Sequence, residues 1–126
     1  MTTREITQDN LEQTINGGGT VLLDFWAEWC GPCRAFAPVF EQASDTHTDI
    51  VFGKIDTEAQ QQLAADFQIT SIPTLMAFRD GILVFAQPGA LPAPQLEQLI
   101  GAVNDLDMDE VRAQVEAEEA AGADTL

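Results

Sequence analysis

The chain has 126 residues, of which 45% are hydrophobic, so it can bury one core and is too short for two ordinary domains. Its 21 Asp and Glu residues against five Lys and Arg give a formal net charge of −16, which opposes binding to nucleic acid or to an anionic membrane surface. No apolar run has the length of a membrane span, and the N-terminus lacks the apolar stretch of a signal peptide, so we expect a cytoplasmic location.

The first half of the chain alternates helix and strand signals. Thr7 is suited to cap a first helix, which residues 16–19 end. The apolar residues 21–26 predict a buried strand. Helical spacing resumes after Cys33, and Pro38 lies inside this segment without the N–H that a regular helix needs, so the pattern predicts a kinked helix.

The second half continues the alternation. Residues 50–55 form a β-rich run, and Thr57 with Gln60 three positions later predicts a capping box at the start of the next helix. Two further β-rich runs flank Asp80-Gly81, a dipeptide typical of a hairpin turn, and apolar residues with helical spacing over 96–103 mark a last helix. This order predicts an α/β fold in which a central mixed sheet, a parallel part joined to a terminal antiparallel hairpin, has helices on both faces.

The composition changes towards the C-terminus. Residues 105–126 contain eight acidic residues, one arginine and no aromatic residue. Met108, Val111 and Val115 would share one helical face, but this thin apolar stripe offers little buried area to offset the ordering entropy. We therefore predict one folded domain over residues 1–104 and an acidic C-terminal tail over 105–126 that is a marginal helix or a mobile segment.

The most informative motif is the pair Cys30 and Cys33, which follows the apolar strand and begins a helix. Two cysteines at this spacing can close a small disulfide ring, and the free N–H groups and dipole of a helix start stabilise a thiolate. The alternative is half of a zinc or iron–sulfur site, but tetrahedral zinc usually needs four protein ligands and the chain adds only His47 to the two cysteines. The inventory favours a redox pair without a metal or cofactor. Cys30, which precedes the helix proper, is expected to be the more exposed sulfur and the attacking thiolate, and Cys33 is expected to resolve the mixed disulfide.

The segment 21–34, VLLDFWAEWCGPCR, resembles the active-site segment of the thioredoxins, and Ser71-Ile72-Pro73-Thr74 resembles the loop opposite it in that family. These two motifs, at the right separation, carry a resemblance that covers roughly residues 5–104. The resemblance implies a thioredoxin fold and the activity of a general protein-disulfide reductase, a thiol-disulfide oxidoreductase that works by dithiol-disulfide exchange through the cysteine pair. Gly31-Pro32 between the cysteines is typical of the reducing members of the family.

Two charged residues near the motif have candidate catalytic roles. Asp24 lies within the apolar strand, where desolvation raises the pKa of an unpaired carboxyl, and strand alternation places it on the face of Leu22 and Trp26, beneath the cysteine turn. The resemblance implies that Asp24 moves the proton on and off Cys33, whereas the alternative is a core aspartate held by structural hydrogen bonds. Lys54, the only lysine, matches the family's partner of this acid, and a solvent-facing lysine is the alternative.

The resemblance also implies a surface that binds substrates. Ile72-Pro73 corresponds to the family's cis-proline loop, which presents backbone groups to an extended substrate. Trp29 matches the apolar rim of this surface, and a partly buried packing aromatic is the alternative. The expected substrate-binding residues are Trp29, Gly31, Pro32, Ile72, Pro73, Gly89 and Ala90. Three positions depart from the family pattern: Thr70 where Arg is frequent, Gln68 where Gly is common and Arg34 where Lys is frequent.

The partners implied by the resemblance are disulfide-containing client proteins and thioredoxin reductase, an NADPH-dependent flavoenzyme that re-reduces the oxidised protein. The expected state is a monomer without nucleic-acid or membrane partners. A second hypothesis is a holdase module that uses the apolar rim and the acidic tail to bind clients. The intact cysteine pair with Asp24 argues against it, and turnover in a disulfide-reduction assay separates the two functions.

Overall fold

The computed structural model describes residues 2–124, with side chains for residues 2–121, and forms five strands and five helices in this part of the chain. In chain order these are β1 (Thr3–Glu5), α1 (Leu11–Asn16), β2 (Thr20–Trp26), α2 (Gly31–Thr46), β3 (Val51–Asp56), α3 (Gln61–Asp66), β4 (Thr74–Arg79), β5 (Ile82–Pro88), α4 (Ala93–Asn104) and α5 (Met108–Asp124). Strand β1 is not predicted from the sequence, because three residues are too few for a period-two pattern to be visible. The helix predicted after Cys33 is α2, which contains Pro38, and the kink there stays a prediction.

The strands form one mixed sheet in the order β1-β3-β2-β4-β5. Strands β1, β3 and β2 run parallel, whereas β4 is antiparallel to both β2 and β5. The predicted parallel part and terminal hairpin are therefore confirmed. The hairpin turns through Asp80 and Gly81, whose φ angles of 53° and 82° are both positive, as the tightest hairpin turns require.

The hairpin turn is tied to the chain segment just before β2. The Asp80 amide donates to the Gly19 carbonyl, and the Gly19 amide donates to the Asp80 carboxylate, each over 2.9 Å. Arg112 of α5 lies 3.6 Å from the same carboxylate. These contacts join three segments at the end of the sheet where β2 begins, which is the end opposite the cysteines.

Alternation along β2 places apolar clusters on both faces of the sheet. Leu22 belongs to a cluster with α2 and α4, and Leu23 belongs to a second cluster with α1 and α3. The prediction of helices on both faces is thus confirmed. Since side chains alternate along a strand, Asp24 shares the face of Leu22 and lies on the α2 side of the sheet.

Two predicted helix starts differ from the structure. The Thr7 hydroxyl accepts a hydrogen bond from the backbone amide two residues later, but this bond stabilises a turn, and α1 begins only at Leu11. The predicted capping box at Thr57 and Gln60 is wrong. The Thr57 hydroxyl donates to the carbonyl of Trp26, which lies beside it at the end of β2, and no side chain among the described residues caps α3.

Helix α5 lies beside the first part of β5, and a cavity lies between them. Met108 is buried, and Val111 and Val115 line a cavity of about 290 Å³ together with residues 82–84. The apolar stripe noted in the sequence therefore faces the sheet. The boundary between residues 104 and 105 stays a prediction. None of the helices in the described range is long and apolar enough to cross a membrane.

Candidate active site

The two cysteines lie at the start of α2 and form a disulfide. Cys30 is the residue before the helix and Cys33 lies in its first turn, with their Cα atoms 5.2 Å apart. The Cys33 amide donates to Cys30 Sγ over 3.2 Å. Pro32 occupies the first turn, where its missing N–H costs no hydrogen bond. The helix start thus directs an N–H group and the positive end of its dipole at Cys30 Sγ, which stabilises a thiolate there once the disulfide is reduced.

Cys30 is the cysteine that borders open space. Both residues are nearly buried, with 4% of Cys30 and 2% of Cys33 exposed, so the expected difference in exposure is small. A groove of about 430 Å³ nevertheless reaches Cys30, whereas Cys33 is not among the described residues that line it. Access through the groove, more than the exposed fraction, distinguishes the two sulfurs. The role of Cys30 as the attacking thiolate stays a prediction.

Asp24 is a buried carboxyl on the α2 side of β2. It is 1% exposed, and neither carboxylate oxygen has a hydrogen-bond partner among the described residues. Burial raises the pKa of Asp24 from its ordinary value of 3.8 to about 7, and the positive charge of Lys54 opposes part of this rise. Within the described residues, no hydrogen bond gives this carboxyl a structural role. A carboxyl with a pKa near neutrality can both accept and release a proton at physiological pH.

Lys54 is placed beside Asp24 by the register of the sheet. The two residues are Cα partners on the adjacent parallel strands β2 and β3. The Lys54 ammonium lies 4.6 Å from the centroid of the Trp26 ring, and no ion pair joins it to Asp24 among the described side chains. The half-buried Lys54 is therefore held over an aromatic ring and acts on Asp24 only through space.

Four of the expected substrate-binding residues line the groove beside Cys30. They are Trp29, Gly31, Pro32 and Ile72. Trp29 is 67% exposed, and its indole N–H donates to the Glu58 carboxylate over 2.8 Å, so its ring forms an open wall and is not a core packing aromatic. Cys30 Sγ lies 3.8 Å from the Ile72 carbonyl oxygen, and the peptide bond between Ile72 and Pro73 is cis.

The other three expected residues do not line the groove. Pro73 is buried, whereas Gly89 and Ala90 are exposed. The Gly89 amide donates to the Pro73 carbonyl over 2.7 Å, so the loop after β5 is held against the cis-proline loop. The residues predicted from the resemblance are thus divided between the groove and this neighbouring pair of loops.

Five residues that line the groove were not predicted as site residues from the sequence: Thr57, Ala64, Ile69, Thr70 and Ser71. Thr57 is the most informative of them, because both its amide and its hydroxyl donate to the Trp26 carbonyl, over 2.9 and 3.1 Å. Its position directly after β3 could have indicated the site, since functional residues of such sheets lie beyond the carboxyl ends of the parallel strands.

The arrangement is suited to two-electron thiol chemistry. It contains a disulfide at a helix start, a groove that reaches one of the sulfurs, and a buried carboxyl that can exchange a proton at neutral pH. Reduction of such a disulfide yields a thiolate that can attack a disulfide in another protein. No group of three or more His, Cys, Asp or Glu side chains in the described part of the chain is placed to hold a metal ion.

Comparison with known proteins gives the family. The family model described as Thioredoxin matches residues 2–102. The protein named "Putative thioredoxin 2" of Streptomyces coelicolor is 55% identical over 118 residues, which cover 94% of this chain and 88% of the relative. A thioredoxin of Alicyclobacillus acidocaldarius is 40% identical over 102 residues, which cover 80% of this chain and 97% of the relative.

Solved structures agree with this match. The thioredoxin of Plasmodium falciparum superposes with a TM-score of 0.73 and 36% identity, covering 79% of this chain and 98% of that chain. A mutant thioredoxin from Halobacterium salinarum gives a TM-score of 0.75 and 34% identity, covering 81% and 90%. The predicted thioredoxin fold is therefore confirmed. With its cysteine pair joined in a disulfide at the start of α2, the chain is a thiol-disulfide oxidoreductase that belongs to the thioredoxin family.

Proposed function

We propose that the protein is a general protein-disulfide reductase in which Cys30 attacks and Cys33 resolves. The observation that carries this proposal is the groove that reaches Cys30 and not Cys33. In the first step the Cys30 thiolate attacks one sulfur of a client disulfide, which forms a mixed disulfide and displaces one client thiolate. In the second step the Cys33 thiolate attacks Cys30 Sγ, which restores the disulfide and releases the second client thiolate. Two electrons pass from the dithiol to the client, whose two thiolates then take up protons.

Asp24 is the proton acceptor for the second step. Cys33 must lose its proton before it can attack, and it lies away from the groove and its solvent. A buried carboxyl with a pKa of about 7, on the sheet face covered by α2, has the proton affinity for this transfer. Lys54 keeps the pKa of Asp24 from rising further.

The client segment lies along the groove and the two loops beside it. The exposed ring of Trp29 offers an apolar wall to this segment. The cis-proline loop offers backbone groups to it, in the manner of a strand added at a sheet edge. The residues that would contact the client are Trp29, Gly31, Pro32, Ile72, Pro73, Gly89 and Ala90.

Members of this family act on disulfide substrates and are typically reduced by thioredoxin reductase. For this chain we infer the same cycle, with the NADPH-dependent flavoenzyme thioredoxin reductase as the electron donor and the cytoplasm as the location. The sequence has no dinucleotide-binding fingerprint, which supports a separate enzyme for the NADPH step. A reducing compartment suits a pair that must return to the dithiol form. The net charge of −16 opposes self-association and supports a monomer.

The test is insulin reduction with NADPH and thioredoxin reductase. The wild type should turn over, and Cys30→Ser should abolish turnover. Cys33→Ser should accumulate covalent mixed disulfides, because the release step is blocked, and these are visible by mass spectrometry under non-reducing conditions. The double variant, which should trap nothing, is the control. Equal trapping by the two single variants would reject the division of roles, and an inactive wild type would reject the function.

A further inference from the structure

Thr57 lies directly after β3 and beside the last residue of β2. Its amide and its hydroxyl both donate to the Trp26 carbonyl, over 2.9 and 3.1 Å, so one residue uses both lone pairs of this oxygen. The register between the two strands ends at this point, with Trp26 opposite Asp56. Thr57 therefore anchors the residue at which the chain leaves β2 towards Cys30.

The next residue holds the same loop near its other end. Glu58 accepts a hydrogen bond from the indole N–H of Trp29 over 2.8 Å. Thr57 and Glu58 thus fix residues 26–29 at both ends against the end of β3. Cys30 follows directly, and its amide donates back into this loop over 3.2 Å. The position of Cys30 Sγ consequently depends on how firmly the loop is held.

Thr57 is also part of the groove wall, together with Trp29 and Cys30. Because the hydroxyl hydrogen is directed at the Trp26 carbonyl, the Thr57 oxygen can meet a client in the groove only as a hydrogen-bond acceptor. An extended peptide carries backbone N–H groups along its length, and the Thr57 oxygen can accept a hydrogen bond from one of them.

We propose that Thr57 is a positioning and specificity residue for disulfide exchange, through its hydroxyl. The hydroxyl holds the loop of residues 26–29 in the geometry from which Cys30 attacks, and its oxygen accepts an N–H from the backbone of the client. This inference rests on the proposed function, because it concerns clients bound in the same groove. Thr57 acts on the placement of the client sulfur against Cys30 and transfers no proton or electron itself.

The test compares two variants of the full chain. Thr57→Val keeps the shape of the side chain and removes the hydroxyl, whereas Thr57→Ser keeps the hydroxyl and removes the methyl group. With a disulfide-containing peptide as substrate, we expect the KM of Thr57→Val to rise about three- to tenfold, because the client loses a hydrogen bond, and its kcat to fall about two- to fivefold, because the loop before Cys30 is held less firmly. Thr57→Ser should stay within about twofold of the wild type, and the redox potential should be unchanged in both. Thr48→Val, an exposed position away from the groove, is the control.

An unchanged KM in Thr57→Val, with the wild type active, would overturn the role of Thr57 and leave the proposed function intact. An inactive wild type would instead reject the proposed function itself. Equal effects of Thr57→Val and Thr57→Ser would also overturn the inference, because the loss of the hydroxyl would then matter no more than the loss of the methyl group. Circular dichroism checks that each variant is folded, and if Thr57→Val is not, Thr57→Ala takes its place with the same expected rise in KM over Thr57→Ser.

Discussion

Asp24 and Lys54 are opposite each other on neighbouring parallel strands, yet the Lys54 ammonium lies over the Trp26 ring, 4.6 Å from its centroid. The Asp24 carboxyl thus keeps the high pKa that burial imposes, about 7, and the lysine lowers it only in part. A carboxylate in close contact with the ammonium would stay charged and could not exchange a proton at neutral pH. The offset between these two side chains leaves Asp24 able to titrate.

The stability of Asp24→Asn relative to the wild type is expected to increase with pH. Because burial raises the folded-state pKa of this acid above its unfolded value, the folded state binds the proton more tightly. The unfolding free energy of the wild type therefore falls by up to about 1.4 kcal/mol per pH unit as the pH rises from about 4 to about 7, and asparagine removes this loss. Urea unfolding at pH values near the two ends of this range measures the difference, with the exposed Asp49→Asn as control. A difference that is the same at both ends would contradict the raised pKa.

Lys54→Gln is expected to raise the pKa of Asp24, because the substitution removes the positive charge that lowers it. The rate of exchange between the reduced protein and a peptide disulfide should then begin to increase at a higher pH, since only the ionised Asp24 can accept the Cys33 proton. Rates measured across the neutral range give this profile, and Arg4→Gln, an exposed cation on β1, is the matched control. A profile that does not move would show that Lys54 has no influence on Asp24.

Gln68→Gly is expected to stabilise the protein by about 0.5–1 kcal/mol. Gln68 follows α3 with a φ of 56°, its amide donates to the Ala65 carbonyl, and the Ile69 amide donates to the Ala64 carbonyl. This pair of bonds is the Schellman ending of a helix, which places one residue in the left-handed region where a side chain is strained. Thermal unfolding measures the gain. Gln68→Ala is the control, because alanine keeps the backbone strain. If Gln68→Ala raised the stability as much as Gln68→Gly, this explanation would be contradicted.

Gly53→Ala is expected to destabilise the protein by about 1–3 kcal/mol, because a Cβ at this position would overpack the core. It would lie 2.5 Å from Ile6 Cγ1 and 2.9 Å from Leu23 Cδ2. Gly101→Ala is the matched control, since a Cβ there would meet no described atom within 4 Å apart from its chain neighbours and the backbone of its own helix, and alanine favours the helix by about 0.5–1 kcal/mol. The midpoint of denaturant unfolding should fall for Gly53→Ala and rise for Gly101→Ala. If Gly53→Ala left the free energy of unfolding unchanged, the packing around β3 would be shown to relax around the added methyl group.

Truncation after Asn104 is expected to lower stability and to leave turnover within about twofold. The truncated protein loses the burial of Met108, about 1.5–3 kcal/mol of hydrophobic stabilisation, and the contact between Arg112 and Asp80. The contact with Asp80 lies at the hairpin turn, at the opposite end of the sheet from the cysteines. Thermal unfolding and reduction of an uncharged peptide disulfide measure the two effects. A large loss of turnover in the folded truncated protein would show that α5 supports the site.

The elements that could be predicted are those with local signals. The apolar run of β2, the Asp80-Gly81 turn and the cysteine pair at a helix start are each encoded by a few adjacent residues, and the structure contains all three. Strand β1 depends instead on pairing with the distant β3. The Thr57 hydroxyl likewise bonds a carbonyl 31 positions earlier, and a threonine at capping spacing looks the same whether its acceptor is local or distant.

In terms of amide hydrogen exchange, Gly19 and Asp80 behave as one unit. Both residues are exposed, yet the amide proton of each is held by the other residue, so neither exchanges until the hairpin turn separates from the segment before β2. The protein therefore protects two surface amides at the end of the sheet opposite its disulfide. A local opening of the chain around Cys30 need not spread along β2 to this end, because the far end is held by hydrogen bonds of its own.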